Sequence, residues 1–222
     1  MAEPCLLDND VILKTAAYGL NEVVLDHLTV AGEVPAVLGV ARFVVKKRAK
    51  FARFLNSDRV ASQVGDFLAR VAFVEPTDDE IQLAADLEAA ARDLSGSLDV
   101  GEAQLLAILL TRASPALITG DKRAIEAVAA LGVGDIAARV ACLEQLFVSL
   151  ASIRDTEGLR RQVCAEPSAD QALSNCFACR SLETTELGQE GLILALQSYV
   201  EDLRRSSGNL LMTNDGLSAL TA

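Results

Sequence analysis

Tryptophan is absent from this 222-residue chain, and aromatic residues reach only 4%. With so few large rings and an apolar content of 51% carried mainly by Ala, Leu and Val, the composition favours helices packed on a small sheet over an all-β sandwich. No apolar run reaches the roughly 18 uncharged residues that a bilayer crossing needs, and the first residues lack the basic, apolar, small-residue order of a signal peptide. A cytoplasmic protein without a membrane partner is therefore expected. Histidine occurs once, at His27, which leaves triad-type nucleophilic catalysis without support. Cysteine is scarce and odd in number: Cys5, Cys142, Cys164, Cys176 and Cys179. Reduced thiols are the expectation, and the Cys176-x-x-Cys179 spacing has no second pair with which to hold zinc. Positive charge is also short, 20 basic against 31 acidic residues for a net charge of −11, which argues against a protein that coats nucleic acid along its whole surface.

What is present has an alternating texture. Cys5-Leu6-Leu7 is a short apolar run that stops at Asp8-Asn9-Asp10, as a buried strand delivering carboxylates at its C-terminal end would. Helical spacing follows from Val11 to Leu20, and Asn21 is placed to cap a second helix to about Val30. Pro35 suits the first turn of a long helix through Val37, Leu38, Val40, Ala41, Val44 and Val45 to about Phe54. Ser57 or Asp58 opens another, to Arg70. Val71 to Glu75 reads as a strand closed by Pro76. Thr77-Asp78-Asp79-Glu80 is a capping box for a helix to Leu94. A helix buried on nearly all sides runs from Gly101 to Ala113, a strand from Ala116 to Thr119 ends in Gly120-Asp121, and a helix covers Lys122 to Leu131. After Gly134 the segments look helical, near 136–153, 157–164, 169–180 and 186–205. Two units are expected: an α/β/α sheet domain over 1–135, with a central, mainly parallel sheet, and a helical extension over 136–222 with a possible last strand near 209–213. The apolar stripe from Leu192 to Leu203 must pack on the sheet domain or on a second copy of the chain, a possible homodimer.

Two strands thus end in acids, Asp8 and Asp121, and the buried helix opens with Asp99-Val100-Gly101-Glu102. In a parallel sheet these positions share the edge where ligands bind. Carboxylates gathered there repel one another unless a cation neutralises them, and oxygen-only ligands suit Mg2+ or Mn2+. Each acid also has a purely structural reading: Asp99-x-x-Glu102 is a capping pair, Asp8 a helix cap, Asp121 a solvated loop acid. Asp99 is better explained as a cap than Glu102 is.

The order of these pieces resembles the PIN family of metal-dependent nucleases, which includes many toxins of bacterial toxin-antitoxin pairs. Leu6-Leu7-Asp8-Asn9-Asp10-Val11 is similar to the family's opening strand, Leu98-Asp99-Val100-Gly101-Glu102-Ala103 to its buried acidic helix, and Leu117-Ile118-Thr119-Gly120-Asp121 to the strand bearing the last metal-side acid. The resemblance covers roughly residues 4 to 135. It implies Asp8, Glu102 and Asp121 as catalytic metal ligands for Mg2+ or Mn2+, with Asp10 and Asp99 at the same site. It further implies hydrolysis of a phosphodiester by metal-activated water, single-stranded RNA as substrate and an antitoxin protein as a possible partner. The chain departs from the family at Val37 to Val45, where another acid is usual; Glu33 is the substitute within reach in sequence.

A concentration of basic residues without an acid among them, Arg42, Lys46, Lys47, Arg48, Lys50 and Arg53, reads either as a solvated helix face or as a phosphate-contacting arm, with Phe51 and Phe54 beside it. Two other functions fit the same sequence. A PIN-like module could bind RNA or protein without cutting. Alternatively, Asp8-x-Asp10-x-Val resembles haloacid-dehalogenase-type phosphatases, in which Asp8 would be the nucleophile and Asp10 the general acid.

Overall fold

Short apolar runs bounded by turns form the sheet, and the amphipathic stretches between them cover it. The computed structural model describes residues 3–51, 54–182, 186–213 and 215–221. In chain order, β1 (Leu6–Leu7) leads into α1 (Asn9–Tyr18) and α2 (Asn21–His27). Next come β2 (Ala36–Leu38), α3 (Ala41–Phe51), α4 (Ser57–Leu68), β3 (Ala72–Val74), α5 (Asp78–Asp93) and α6 (Val100–Thr111). β4 (Leu117–Thr119), α7 (Lys122–Leu131), β5 (Val140–Cys142), α8 (Leu143–Ile153), α9 (Thr156–Cys164), α10 (Gln171–Cys176), α11 (Gln189–Ser207) and α12 (Gly216–Thr221) complete the described chain. The strands form one parallel sheet in the order β3-β2-β1-β4-β5.

The two faces of that sheet are separate cores, as the period-two alternation of strand side chains requires. Leu7, Val37, Ile118 and Ala141 pack with α1, α2, α4 and α8, whereas Leu6, Leu38, Leu117 and Val140 pack with α5, α6 and α7. The expected three-layer α/β/α arrangement is what forms. Capping explains where helices begin: the Thr77–Glu80 and Asp99–Glu102 boxes are both closed. α6 ends where Arg139 donates to the carbonyls of Leu109, Arg112 and Ser114, at 2.7, 3.1 and 2.6 Å. These are carbonyls of the last turn of α6 and of the loop after it, of which the terminal ones have no partner within the helix.

The structure corrects five expectations. Residues 36–38 are a strand and not the start of the long helix expected from Pro35. Their backbone is paired on one side with β1 and on the other with β3, and Val37 is fully buried. Helical spacing across Val37 to Val45 masked a Pro-bounded, Gly39-bounded apolar run. Residues 140–142 are likewise a strand inside the span expected to be helical. Cys142 ends β5 and is the N-cap residue of α8, so no Gly or Pro separates the two elements. The sheet therefore continues past residue 135, the limit expected for it. The last strand expected near 209–213 is reduced to a single parallel bridge between Leu211 and Val140. Finally, Cys164 and Cys179 form a disulfide, with Cα atoms 5.1 Å apart, while Cys5, Cys142 and Cys176 are buried free thiols. Reduced thiols throughout were the wrong expectation. The pairing depends on the turn after α10, which a sequence separation of 15 does not reveal.

The C-terminal helices are built into the same cores. Leu192 and Leu196 of α11 belong to one face and Val200 and Leu203 to the other, so these residues of the stripe pack on the sheet, one of the two placements expected for it, and α11 joins the two layers, while Leu194 is 60% exposed. Tyr18, Phe147 and Phe177 form two edge-on ring contacts at 5.9 and 5.8 Å that tie α1 to α8 and to the turn after α10. Among the described residues no helix is long and apolar enough to cross a membrane.

A chain ended at residue 135 loses β5, α8 and the Arg139 clamp together, and leaves Leu117 and Ile118 with one neighbouring strand. It is expected to be insoluble, or to melt without a cooperative transition in circular dichroism. A soluble 1–135 fragment with a sharp thermal transition would show that the first four strands suffice.

Candidate acidic site at the sheet edge

The chain runs from β1 outward to β2 and β3, then returns to the other side of β1 as β4. The loops after β1 and β4 consequently diverge, leaving a crevice at their C-terminal ends where open α/β sheets bind ligands. Asp8 lies directly after β1. Its backbone amide donates to Ile118 O at 3.0 Å, which fixes the acid against β4. Its carboxylate accepts from the Asn9 amide at 2.6 Å and from the Thr119 hydroxyl at 3.2 Å. Thr119 in turn accepts from the Asp121 amide at 3.1 Å, so one buried hydroxyl sets the positions of both strand-end acids. Glu102, on the first turn of α6, closes the capping box by accepting from the Asp99 amide at 2.8 Å. Gly101 brings this turn close to the sheet, a Cβ there standing 3.9 Å from Leu38 Cδ1. Asp8, Glu102 and Thr119 border a cavity of about 20 Å³ otherwise lined by apolar side chains such as Leu105, Leu106 and Leu117, room for one water-sized molecule.

The acids fall into two classes. Burial pushes the Asp8 carboxyl up to about 6, reinforced by the charge of Asp10 and opposed by the Asn9 and Thr119 hydrogen bonds. Burial pushes Glu102 up to about 8, with the charges of Asp99, Asp8 and Asp121 adding to it and the Asp99 amide opposing. Those couplings place Asp8, Asp99, Glu102 and Asp121 in one electrostatic neighbourhood. Asp10 and Asp121 are compensated instead. Burial opposes ionisation of Asp10, but Lys14 at 3.0 Å and Arg48 at 2.8 Å hold its carboxyl below the usual range. Burial acts the same way on Asp121 and is outweighed by Arg123, which binds it through its amide at 2.9 Å and its guanidinium at 2.9 Å. The structural readings of Asp8 as a helix cap and of Asp99 and Glu102 as a capping pair are realised as well, whereas Asp121, read as a solvated loop acid, is the N-cap residue of α7.

Among the described residues no three His, Cys, Asp or Glu side chains are gathered to hold an ion. Asp8 and Glu102 supply two carboxylates that form no ion pair among the described residues. That donor set fits Mg2+, which binds through one or two carboxylates, keeps several waters and takes further oxygens from a substrate phosphate.

Of the basic residues expected to form an arm, Arg42, Lys46, Lys47 and Lys50 are exposed on α3, and Arg48 is the one that reaches Asp10. Arg53 lies outside the described residues, as does the side chain of Phe51. Glu33 precedes β2 and bridges to Val30, so it lies at the opposite edge of the sheet and cannot stand in for the missing acid. Three contributors were missed. Glu75 follows β3 and its carboxyl lies over Gly39, where a Cβ would come within 1.8 Å of its Oε1. The signal was there, since an apolar strand ending in an acid is what singled out Asp8 and Asp121. Lys14 bonds Asp10, Gly120 O at 3.3 Å and Asp170 at 2.9 Å. Its place one turn after Asp10 was readable, but Asp170 comes from the distant loop before α10 and gave no local signal.

Comparison with protein-family models, curated proteins and solved structures finds no match. What is established is an α/β fold around a five-stranded parallel sheet, and such folds carry many unrelated chemistries. Function has to be argued from the side chains at the edge.

A carboxyl whose proton is held more tightly in the folded chain than in the unfolded one contributes stability that is complete below its unfolded value. That contribution is lost as pH rises through its folded value. For Glu102 the window runs from the ordinary 4.5 up to about 8. Glu102→Gln keeps a capping side chain and removes the titration. In divalent-free buffer the variant is expected to gain thermal stability relative to the parent at pH 8 but not at pH 5. Equal shifts at both pH values would show that Glu102 is not perturbed.

Proposed function

We propose that the chain is a PIN-like, Mg2+- or Mn2+-dependent nuclease that hydrolyses phosphodiesters of single-stranded RNA at the crevice between β1 and β4. The observation that carries this reading is the pair of raised carboxyls, Asp8 and Glu102, left without a basic partner while their acidic neighbours Asp10 and Asp121 each have one. A bound divalent ion supplies water activation and charge neutralisation at the phosphate. Asp8, rigid between Asn9 and Thr119, holds its carboxylate toward the crevice. Glu102, with its proton passed to solvent, would be the second anionic ligand. Asp121 would be the third once released from Arg123, whose exposed guanidinium would then be available to substrate phosphate. The basic face of α3 supplies further phosphate contacts locally, offsetting the unfavourable net charge.

A second reading, a module that binds RNA without cutting it, is favoured by the same Arg123–Asp121 contact, because that pairing leaves only two acids available. The phosphatase reading is disfavoured by Asp10. A general acid must be protonated near neutral pH, and Lys14 and Arg48 hold this carboxyl in its ionised form.

Purified protein is expected to cut a labelled single-stranded RNA with Mg2+ or Mn2+ and not with EDTA. Asp8→Asn and Glu102→Gln should each lower the rate about 100-fold or more, the usual scale for losing a positioned acid-base group, with the fold intact by circular dichroism. Asp121→Asn should do the same if Asp121 exchanges its partner. Tight RNA binding without turnover would establish the binding module, and cutting that survives all three substitutions would leave the assignment without support.

A further inference from the structure

α3 begins at the same sheet edge as the acids, and its first turn carries an aromatic feature that the acidic site does not use. Arg42 lies within 5.4 Å of the centroids of two phenylalanine rings, Phe43 beside it and Phe73 on the edge strand β3. Its Nε donates to Gly39 O at 2.9 Å, which anchors the guanidinium at the end of β2. The rings are 69% and 40% exposed. A single exposed phenylalanine needs no explanation, but two rings gathered at one anchored guanidinium form an exposed, polarisable aromatic surface. β3 lies two strands from β1, about 10 Å at the usual strand spacing, so this surface is within reach of a chain bound at Asp8.

Arg42 also pairs with the Glu75 carboxylate at 3.8 Å, so the charge that selects the occupant is that of the lysines along α3. Lys46, Lys47 and Lys50 are exposed on α3, and none forms an ion pair among the described residues, in a chain of net charge −11. Aromatic faces interleaved with unpaired cations are what sequence-tolerant recognition of single strands uses, bases stacking on rings while lysines follow the phosphates. The geometry points to a base-stacking subsite: Phe43, Arg42 and Phe73 take an unpaired nucleobase of the strand whose backbone lies along Lys46 and Lys47. This rests on the nuclease reading of the neighbouring acids for its substrate but is separable from it, because stacking requires neither a divalent ion nor turnover.

The test uses the full chain in EDTA, where metal-dependent cutting is absent, with a short fluorescein-labelled oligoadenylate and an abasic strand of the same length. Phe43→Ala is expected to weaken oligoadenylate binding about tenfold, as loss of one stacked base does, and to leave the dependence on salt unchanged. Phe73→Leu, which keeps apolar bulk and removes the ring, should have a smaller effect of the same sign. Lys46→Ala with Lys47→Ala should weaken both strands alike and flatten the salt dependence. The sequence has no tryptophan, so Phe43→Trp provides a single tryptophan that can be excited apart from the two tyrosines. Oligoadenylate should quench it and the abasic strand should not. An abasic strand bound as tightly as oligoadenylate, or unchanged affinity in Phe43→Ala, overturns the subsite even if the protein cuts RNA. Ring-dependent binding with no cutting in Mg2+ or Mn2+ upholds the subsite and removes the nuclease reading. Polyglutamate that competes with equal affinity and equal dependence on Phe43 would assign the face to an acidic protein and overturn the proposal.

Discussion

The hydrogen bond from Thr119 to Asp8 joins residues 111 apart in sequence across the β1–β4 seam, and the acidic edge is organised around it. The seam exists because the chain completes β2 and β3 on one side before returning on the other. The loops leaving β1 and β4 are thereby forced apart, and the ends of those strands cannot be roofed by their own connections. A hydroxyl at Thr119 satisfies the buried Asp8 carboxyl and positions the Asp121 amide. The same few atoms thus settle the shape of the crevice and the protonation of its deepest acid. Replacing the hydroxyl by a methyl group would leave Asp8 with one hydrogen-bond donor in a poorly solvated place, which raises its carboxyl further.

Electrostatics then divides the acids more sharply than geometry does. Asp8, Asp10, Asp99, Glu102 and Asp121 lie around the start of α6 and the strand ends, yet of these the cations Lys14, Arg48 and Arg123 form ion pairs with Asp10 and Asp121. Asp8 and Glu102 are left with burial as the dominant influence; the Asp10 charge adds to it at Asp8, and the charges of Asp99, Asp8 and Asp121 add to it at Glu102. In water such a pair would lose most of its interaction to screening; next to the apolar side chains of α6 it does not. The net charge of −11 conceals this local structure, and it equally conceals the basic face of α3 a few ångströms from the acids. Global charge speaks to non-specific binding, and here the surface is sorted by element.

The legible parts of the sequence were those whose signal is local. Strands β1, β3 and β4 are apolar runs stopped by Asp, Pro or Gly, and the capping boxes at Thr77 and Asp99 mark helix starts with two residues each. Strands β2 and β5 were illegible for a shared reason: each runs into a helix with apolar residues on both sides of the boundary, so period-two and helical spacings overlap and only pairing with neighbouring strands decides between them. Asp8, Glu102 and Asp121 could be named because each closes or opens a recognisable element. Their differing charge states could not, since Arg123 and Lys14 are close in sequence to the acids they pair with but Arg48 and Thr119 act through the fold. Phe43 and Phe73 are separated by a helix and a loop, and nothing in either segment announces that Arg42 brings them together.

The segment beyond the family resemblance shapes the edge as well. Asp170, in the loop closed by the Cys164–Cys179 disulfide, binds Lys14, which in turn holds Asp10 and the carbonyl of Gly120. From the same loop the buried carboxylate of Glu166 accepts from the Leu55 amide at 2.8 and 3.0 Å, just past the basic helix. One loop therefore steadies both the acids and the end of the arm. Gly120 shows how little slack this leaves: a Cβ there would stand 3.0 Å from Lys14 Nζ and 3.4 Å from Asp10 Cβ. Such crowding is relieved by a shift of a few tenths of an ångström at the end of Lys14, which loosens its contacts with Asp170 and Asp10. The turn after β4, on which Asp121 depends, is thus held by residues from both halves of the chain. An account of the site confined to the first 135 residues omits the groups that set its geometry.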